Sequence, residues 1–151
     1  MTTQQIQAQI VATATQYGVD PTLALAVAQH ESDFNPNALG SSGDAGIFQL
    51  LPSTAADLGV TDVWDPVQNI QAGVQYLAQL LARYGGDVTT ALQAYNGGMG
   101  NVDRGTVSAA AQAYPGVVMS LIPDAQSIMA SLGLSPPQTA PGMTPKTSGP
   151  G

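Results

Sequence analysis

The chain of 151 residues has no cysteine, one histidine and three basic residues. Without cysteine it can form neither a disulfide nor a thiolate metal site, and one histidine among scattered aspartates predicts no metal centre. Binding of nucleic acid requires clustered lysine and arginine, whereas Arg83, Arg104 and Lys146 are the only strong cations against a formal net charge of −7. The same balance argues against adhesion to anionic membranes.

Long apolar runs are also missing. No stretch approaches 18 apolar residues, so we expect no insertion into a membrane. Residues 1–5 (MTTQQ) lack the basic residues and apolar segment of a signal peptide. An export signal removed earlier, another route out of the cell and a place in a larger assembly all stay open. Charged residues make up 9% of the chain, but 44% are hydrophobic, which suffices for one buried core. We expect one domain, as a monomer.

Periodicity and capping signals predict a mainly helical domain over residues 1–134. An apolar stripe predicts a first helix that ends at Gly18. The Asp-Pro pair at 20–21 predicts the N-cap and first turn of a second helix, which runs to about Ser32. A second Asp-Pro pair, at 65–66, predicts the start of a long helix.

The second half continues the helical pattern. Asp87 is predicted to cap a helix that ends at two glycines, and Asp124 to cap the last one. Between them, residues 107–122 are predicted to be helical with a break or kink at Pro115. Residues 135–151 are rich in proline, glycine, serine and threonine, which predicts a flexible tail or linker.

Residues 33–51, directly after the second helix, lack a helical period and contain three glycines. We therefore expect an irregular loop there, or a short hairpin. A compact domain rarely keeps a loop of this length without a function.

Glu31 is the only glutamate of the chain and lies just before this loop. It follows Val27 by four positions, which places it on the apolar side of the second helix. Burial and the negative end of the helix dipole both raise the pKa of a carboxyl group there, so that it can act as a general acid. The alternative is that Glu31 only ends the helix and faces water. His30 points to another side of the helix, which favours a surface or packing role.

Three further stretches offer polar groups. The loop carries Gln49 after several glycines, Tyr95 and Asn96 precede a Gly-Gly helix end, and Tyr114 lies in a later helix. Amides, phenols and backbone groups can bind an uncharged, polyhydroxylated ligand with acetamido groups. A phenylalanine such as Phe48 is more often a core residue than a ligand contact. Tyr95 and Tyr114 fit the core and the site equally well.

These residues occur in three ordered motifs that resemble those of the SLT-type lytic transglycosylases, which share the goose-type lysozyme-like fold. The resemblance covers about residues 20–120 and rests on Glu31-Ser32, Gly46-Ile47-Phe48-Gln49 and Ala94-Tyr95-Asn96-Gly97-Gly98. It implies that Glu31 is the single catalytic acid and base, and that Phe48 replaces a methionine over the sugar. Tyr114 resembles the tyrosine of a fourth motif. The other residues that it implies as substrate-binding or supporting are Ser32, Gly46, Gln49, Tyr95 and Asn96.

The resemblance also implies the reaction. Glu31 would cleave the β-1,4 bond between N-acetylmuramic acid and N-acetylglucosamine in peptidoglycan strands, and the product would carry a 1,6-anhydromuramoyl end. It implies no cofactor or metal, and an extracytoplasmic location in the periplasm, the cell wall or a phage virion. Two alternatives remain: a hydrolytic muramidase that uses Asp44 as a second carboxylate, and a wall-binding module without catalysis.

Overall fold

A computed structural model describes residues 1–135 of the protein. The predicted tail over residues 135–151 therefore lies outside the described residues, except for Ser135. The helices of the described part are α1 (Thr3–Tyr17), α2 (Pro21–Ser32), α3 (Pro52–Asp57), α4 (Pro66–Arg83), α5 (Val88–Gly97), α6 (Met99–Arg104), α7 (Ala109–Met119) and α8 (Ile122–Ser131). The prediction of a mainly helical domain is confirmed.

The helices begin where side chains satisfy free backbone N–H groups. The carboxylate of Asp20 accepts from the N–H of Thr22 at 2.9 Å, and Asp65 and Asp87 cap α4 and α5 in the same way. A proline follows Asp20 and Asp65 in the first turn, where its missing N–H costs nothing. These starts agree with the sequence predictions.

Three predictions about the second half need correction. The break that was one alternative at Pro115 is absent: helix α7 continues to Met119, since only one hydrogen bond is lost and Tyr114, Pro115 and Val118 are all buried. Helix α8 starts at Ile122, so Asp124 lies inside its first turn rather than at its cap. The short helix α6 was not predicted, because it buries none of its residues and so shows no apolar stripe.

Helix α2 is the central element of the core. Every residue from 22 to 28 is buried, and α2 packs against α1, α7 and α8. Such a helix lacks a solvent face until its last turn, which contains Glu31. The packing of α2 in the core thus places Glu31 where the helix reaches the surface.

Residues 33–51, called the site loop below, follow α2 without forming a strand. The chain turns through Asp33 and Phe34, which both adopt left-handed backbone angles (φ 52° and 63°). Isolated bridges pair Leu39 with Ala45 and Ala45 with Leu50, so the loop is irregular and the alternative of a regular hairpin is not observed. Within residues 1–135, no helix is both long and apolar enough to span a membrane.

Candidate active site

The half-buried Glu31 is the centre of the candidate site. Burial raises the pKa of its carboxyl group to about 7, and the nearby negative charge of Asp44 acts in the same direction. A hydrogen bond from Tyr114 partly opposes this shift because it stabilises the charged form. The carboxyl group therefore keeps its proton in a large fraction of molecules near neutral pH, as a general acid must.

Tyr114 approaches Glu31 from α7, 83 positions further along the chain. Its hydroxyl donates a hydrogen bond to Oε2 of Glu31. Burial, and then the charge of Glu31, raise the pKa of Tyr114 above its ordinary value, so the phenol stays a neutral donor. Because Oε2 is occupied by this bond, Oε1 of Glu31 is the oxygen left to carry a transferable proton.

Two aromatic rings pack against Tyr114, the hydrogen-bond partner of Glu31. The ring of Tyr95 lies parallel to that of Tyr114, with centroids 6.3 Å apart, and its hydroxyl donates to the carbonyl oxygen of Phe48 at 2.7 Å. Burial raises the pKa of Tyr95 well above its ordinary value. His30 is exposed and meets Tyr114 edge-on at 5.3 Å, which is the predicted packing role.

The motif residues in and next to the site loop mainly hold the loop in place. The hydroxyl of Ser32 donates to the carbonyl oxygen of Ile47 at 2.7 Å. The side-chain nitrogen of Gln49 donates to Ala38 and Gly46 oxygens at 3.0 and 2.9 Å. Ser32 and Gly46 thus support the loop, and the side-chain oxygen of Gln49, which has no partner within residues 1–135, is free for a ligand.

Asn69 is a supporting residue to which the sequence reasoning assigned no role in the site, although Asn69-Ile70 belongs to the family resemblance. It is buried at the start of α4, where its oxygen accepts from the N–H of Phe48 at 2.8 Å. Its nitrogen donates to the carbonyl oxygens of Ala45 and Val63, both at 3.0 Å. A Cβ on Gly46 would lie 2.2 Å from that nitrogen, so only glycine fits there. The available signal was a polar residue directly before Ile70 in the apolar stripe of α4.

Phe48 lies in the core rather than in the cleft. Its side chain is fully buried, and a Cβ on Gly73 would lie 2.3 Å from its ring. This placement corrects the prediction that the Phe48 side chain contacts a sugar. What Phe48 contributes to the site is its backbone, which Asn69 and Tyr95 hold from two sides.

Two adjoining pockets, each of about 240 Å³, form the candidate cleft. The first, called the acid pocket, is lined by Glu31, Ser42, Asp44, Gln49, Leu51, Tyr95 and Asn96. The second, called the neutral pocket, is lined by Gln49, Leu50, Leu51, Thr54, Tyr76, Tyr95, Asn96, Gly97 and Gly98. Asn96 lines both pockets, is exposed, and has no side-chain hydrogen bond within the described residues, so its amide is free for a ligand.

The site combines the half-buried Glu31, whose pKa is raised, with one further carboxyl group and neutral polar groups. Residues 1–135 contain no cluster of three or more histidine or acidic side chains that could hold a metal ion. Glu31 and Asp44 are the carboxyl groups of the acid pocket. The arrangement can donate a proton from Glu31 and take one back at the same atom.

Comparison with known proteins relates this geometry to a family. The family model described as transglycosylase SLT domain matches residues 9–115. A protein of Enterobacteria phage PRD1 named transglycosylase is 46% identical over 113 residues, which cover 75% of this chain and 41% of the relative. Membrane-bound lytic murein transglycosylase F of Desulfosudis oleivorans is 43% identical over 95 residues, which cover 59% of this chain and 21% of the relative. The chain thus spans less than half the length of both relatives.

A solved structure has a similar fold. The lytic transglycosylase Slt of Pseudomonas aeruginosa, in an inactive mutant form, superposes with a TM-score of 0.72 at 23% sequence identity. The superposition covers 86% of this chain and 25% of that one. The likeness confirms the predicted lysozyme-like helical fold.

Proposed function

The chain belongs to the transglycosylase SLT domain family, and on this premise we propose that it is a peptidoglycan lytic transglycosylase with Glu31 as the single acid and base. Its substrate is the glycan strand, cleaved at the β-1,4 bond between N-acetylmuramic acid and N-acetylglucosamine. The observation that carries the proposal is the half-buried Glu31 carboxyl, which Tyr114 holds by one oxygen. Relatives named lytic murein transglycosylase support it.

The chemistry uses Glu31 twice. Its proton passes to the glycosidic oxygen as the bond from that oxygen to the muramoyl C1 breaks. The resulting carboxylate then takes the proton of the muramoyl 6-hydroxyl while that oxygen bonds to C1 and closes the 1,6-anhydro ring. Glu31 is protonated again at the end, and no water is consumed, so a second carboxylate is not required.

The other site residues have distinct parts in the proposal. Tyr114 orients the Glu31 carboxyl, while Ser32, Gly46 and Tyr95 support the site loop beside it. The free side-chain oxygen of Gln49 and the free amide of Asn96 bind the sugar. We further propose that residues 1–134 form one monomeric catalytic domain, joined to a linker over 135–151, that acts outside the cytoplasm.

The test is mass spectrometry of the products released from purified peptidoglycan. The proposal predicts muramoyl ends that are one water lighter than reducing ends, with no heavy oxygen incorporated from labelled water. Glu31→Gln protein is the control for contaminating activity. Reducing ends that carry the label would contradict the proposal.

Asp44 favours one alternative, a hydrolytic muramidase, because its carboxyl group lines the same pocket as Glu31. An inverting hydrolase holds water between two carboxyl groups about 6.5–9.5 Å apart. Asp44 instead accepts from the N–H of Ser42 at 3.3 Å within its own turn. We therefore expect Asp44→Asn to keep most of its activity on whole peptidoglycan, whereas a muramidase would lose it.

A further inference from the structure

The cleft carries negative charge without positive charge to balance it. Glu31 and Asp44 belong to the acid pocket, while no acidic or basic side chain lines the neutral pocket. The two arginines of the described residues lie elsewhere: Arg83 pairs with Asp103, and Arg104 donates to Asn101. With a net charge of −7 for the whole chain, the field of the protein disfavours an anion at the site.

The negative charge of Asp44 has a fixed position. The N–H of Ser42 donates to its Oδ1 at 3.3 Å, and a Cβ on Gly40 would lie only 2.2 Å from that oxygen. The carboxylate therefore fills the space that a side chain at position 40 would need. Asp44 and Glu31 line the same pocket, so the charge of Asp44 acts on a ligand bound between them; burial is the main cause of the raised pKa of Glu31, and the charge of Asp44 adds to it.

Muramic acid differs from other sugars of the strand by its lactyl group. In a strand that bears peptides, the lactyl carboxyl is an amide and is neutral. In a strand stripped of peptides, it is a free carboxylate. Resting on the proposed function, we propose that the acid pocket selects muramoyl residues with an amide-capped lactyl group over those with a free lactyl carboxylate, and that Asp44 is the residue that determines this specificity.

The expected size follows from Coulomb's law. At low ionic strength, a ligand carboxylate held within several ångströms of a fixed carboxylate near a protein surface binds roughly five- to tenfold more weakly than a neutral group. Salt screens charges over about 10 Å at 0.1 M, so the effect shrinks when salt is added. A steric preference for the larger amide would not respond to salt in this way.

The test uses one preparation of peptide-stripped glycan strands, divided in two. One half keeps the free lactyl carboxylates, and in the other half they are coupled to methylamine. We expect kcat/KM for release of anhydromuramoyl ends to be about five- to tenfold higher on the methylamide strand at low salt. In Asp44→Asn, this ratio should fall towards one. Asp57→Asn is the matched control, since Asp57 is exposed and outside both pockets, and it should keep the ratio.

Equal rates on the two strands at low salt would overturn the inference, as would a ratio unchanged in Asp44→Asn. A preference that persists unchanged at high salt would also overturn it, because it would be steric. Failure of the proposed function is distinguishable: in that case neither strand, nor intact peptidoglycan, yields anhydromuramoyl ends.

Discussion

The helical core and the site loop differ in one respect: side chains of other elements hydrogen-bond the backbone of the loop. The core is stabilised by apolar packing, with Ile10, Leu25 and Leu77 fully buried. The site loop takes part in this packing through Ile47 and Phe48, but polar side chains of other elements also bind its backbone. Asn69 of α4 and Tyr95 of α5 both hold Phe48, and Ser32 of α2 holds the residue before it.

The core packing therefore mainly contributes stability, whereas the side-chain bonds to the loop mainly position the site. Packing energy in the core is shared among many side chains, so one truncation lowers stability without moving the catalytic group in a particular direction. The side-chain bonds from Ser32, Asn69 and Tyr95 to the loop are few, and each fixes a backbone group of the loop against a particular helix. Because three helices converge on Ile47 and Phe48, the loop takes its shape from the arrangement of those helices.

Glu31→Gln should show the largest difference between activity at the site and stability of the core. The change keeps the shape of the side chain and removes its acidic proton, and no other glutamate can replace it. We expect activity on peptidoglycan to fall by about 10³–10⁴-fold or more with the helical circular dichroism unchanged. Asp57→Asn is the control and should stay active. A folded Glu31→Gln protein that keeps a tenth of the activity would refute the assignment.

A pair of alanine variants compares the regions directly. Ile10→Ala should lower the free energy of unfolding by about 2–5 kcal/mol through loss of packing. Asn69→Ala removes the partners of the Phe48 N–H and the Val63 carbonyl, at about 1–3 kcal/mol for each buried group that stays unsatisfied, whereas the Ala45 carbonyl still accepts from the N–H of Leu50. At a temperature where both variants are folded, only Asn69→Ala should lose kcat. Equal losses of kcat would remove the distinction between the core and the loop.

The pH dependence of stability tests the burial of Glu31. The pKa of its carboxyl group is about 7 in the folded protein, against an ordinary value of 4.5 that applies to the unfolded chain, so the folded state binds the proton more tightly. The resulting stabilisation is complete below pH 4.5 and is lost as the pH rises through 7. As the pH rises from 4.5 to above 7, the free energy of unfolding of the wild type should therefore fall by about 1–3 kcal/mol relative to that of Glu31→Gln, after allowance for the partial exposure of Glu31. Denaturant unfolding at a series of pH values measures this, and parallel stability curves would contradict it.

Tyr95→Phe should have a smaller effect that falls mainly on activity. It removes one hydrogen bond to the backbone of Phe48, worth about 0.5–1.5 kcal/mol, and leaves the stacked ring in place. Tyr84→Phe is the matched control, because its hydroxyl bonds Asp103 on the surface away from the cleft. We expect kcat to fall several-fold in Tyr95→Phe alone. If both variants keep full activity, Tyr95 supports only the fold.

The smallest effect is expected from truncation after Leu134. Residues 135–151 contain Met143 as their only large apolar side chain, so they offer little surface to bury against either region. Melting temperature and activity should both stay within the error of measurement. A loss of several degrees would show that this segment packs on the domain.

Helix boundaries were accessible from the sequence because their causes are local. The caps at Asp20, Asp65 and Asp87 act within three residues of the helix start, so the residue types alone predict them. The same holds for the place of Glu31 one turn after Val27, which helical spacing predicts, although α2 is buried on all sides before its last turn and not along one stripe. Where the prediction erred, as at Pro115, buried packing outweighed a local preference.

The contacts of the site depend on residues far apart along the chain. The bond from Tyr114 to Glu31 joins positions 83 apart, and the bonds of Asn69 reach 24 positions back to Ala45. The placement of Phe48 in the core requires the space above Gly73. Such contacts arise only after the helices have packed, because a hydrogen bond forms within about 3 Å and no sequence spacing sets that distance. Residue types and their local spacing therefore indicate the acid and its class, whereas the packing of α2, α4, α5 and α7 gives the acid its partners and its raised pKa.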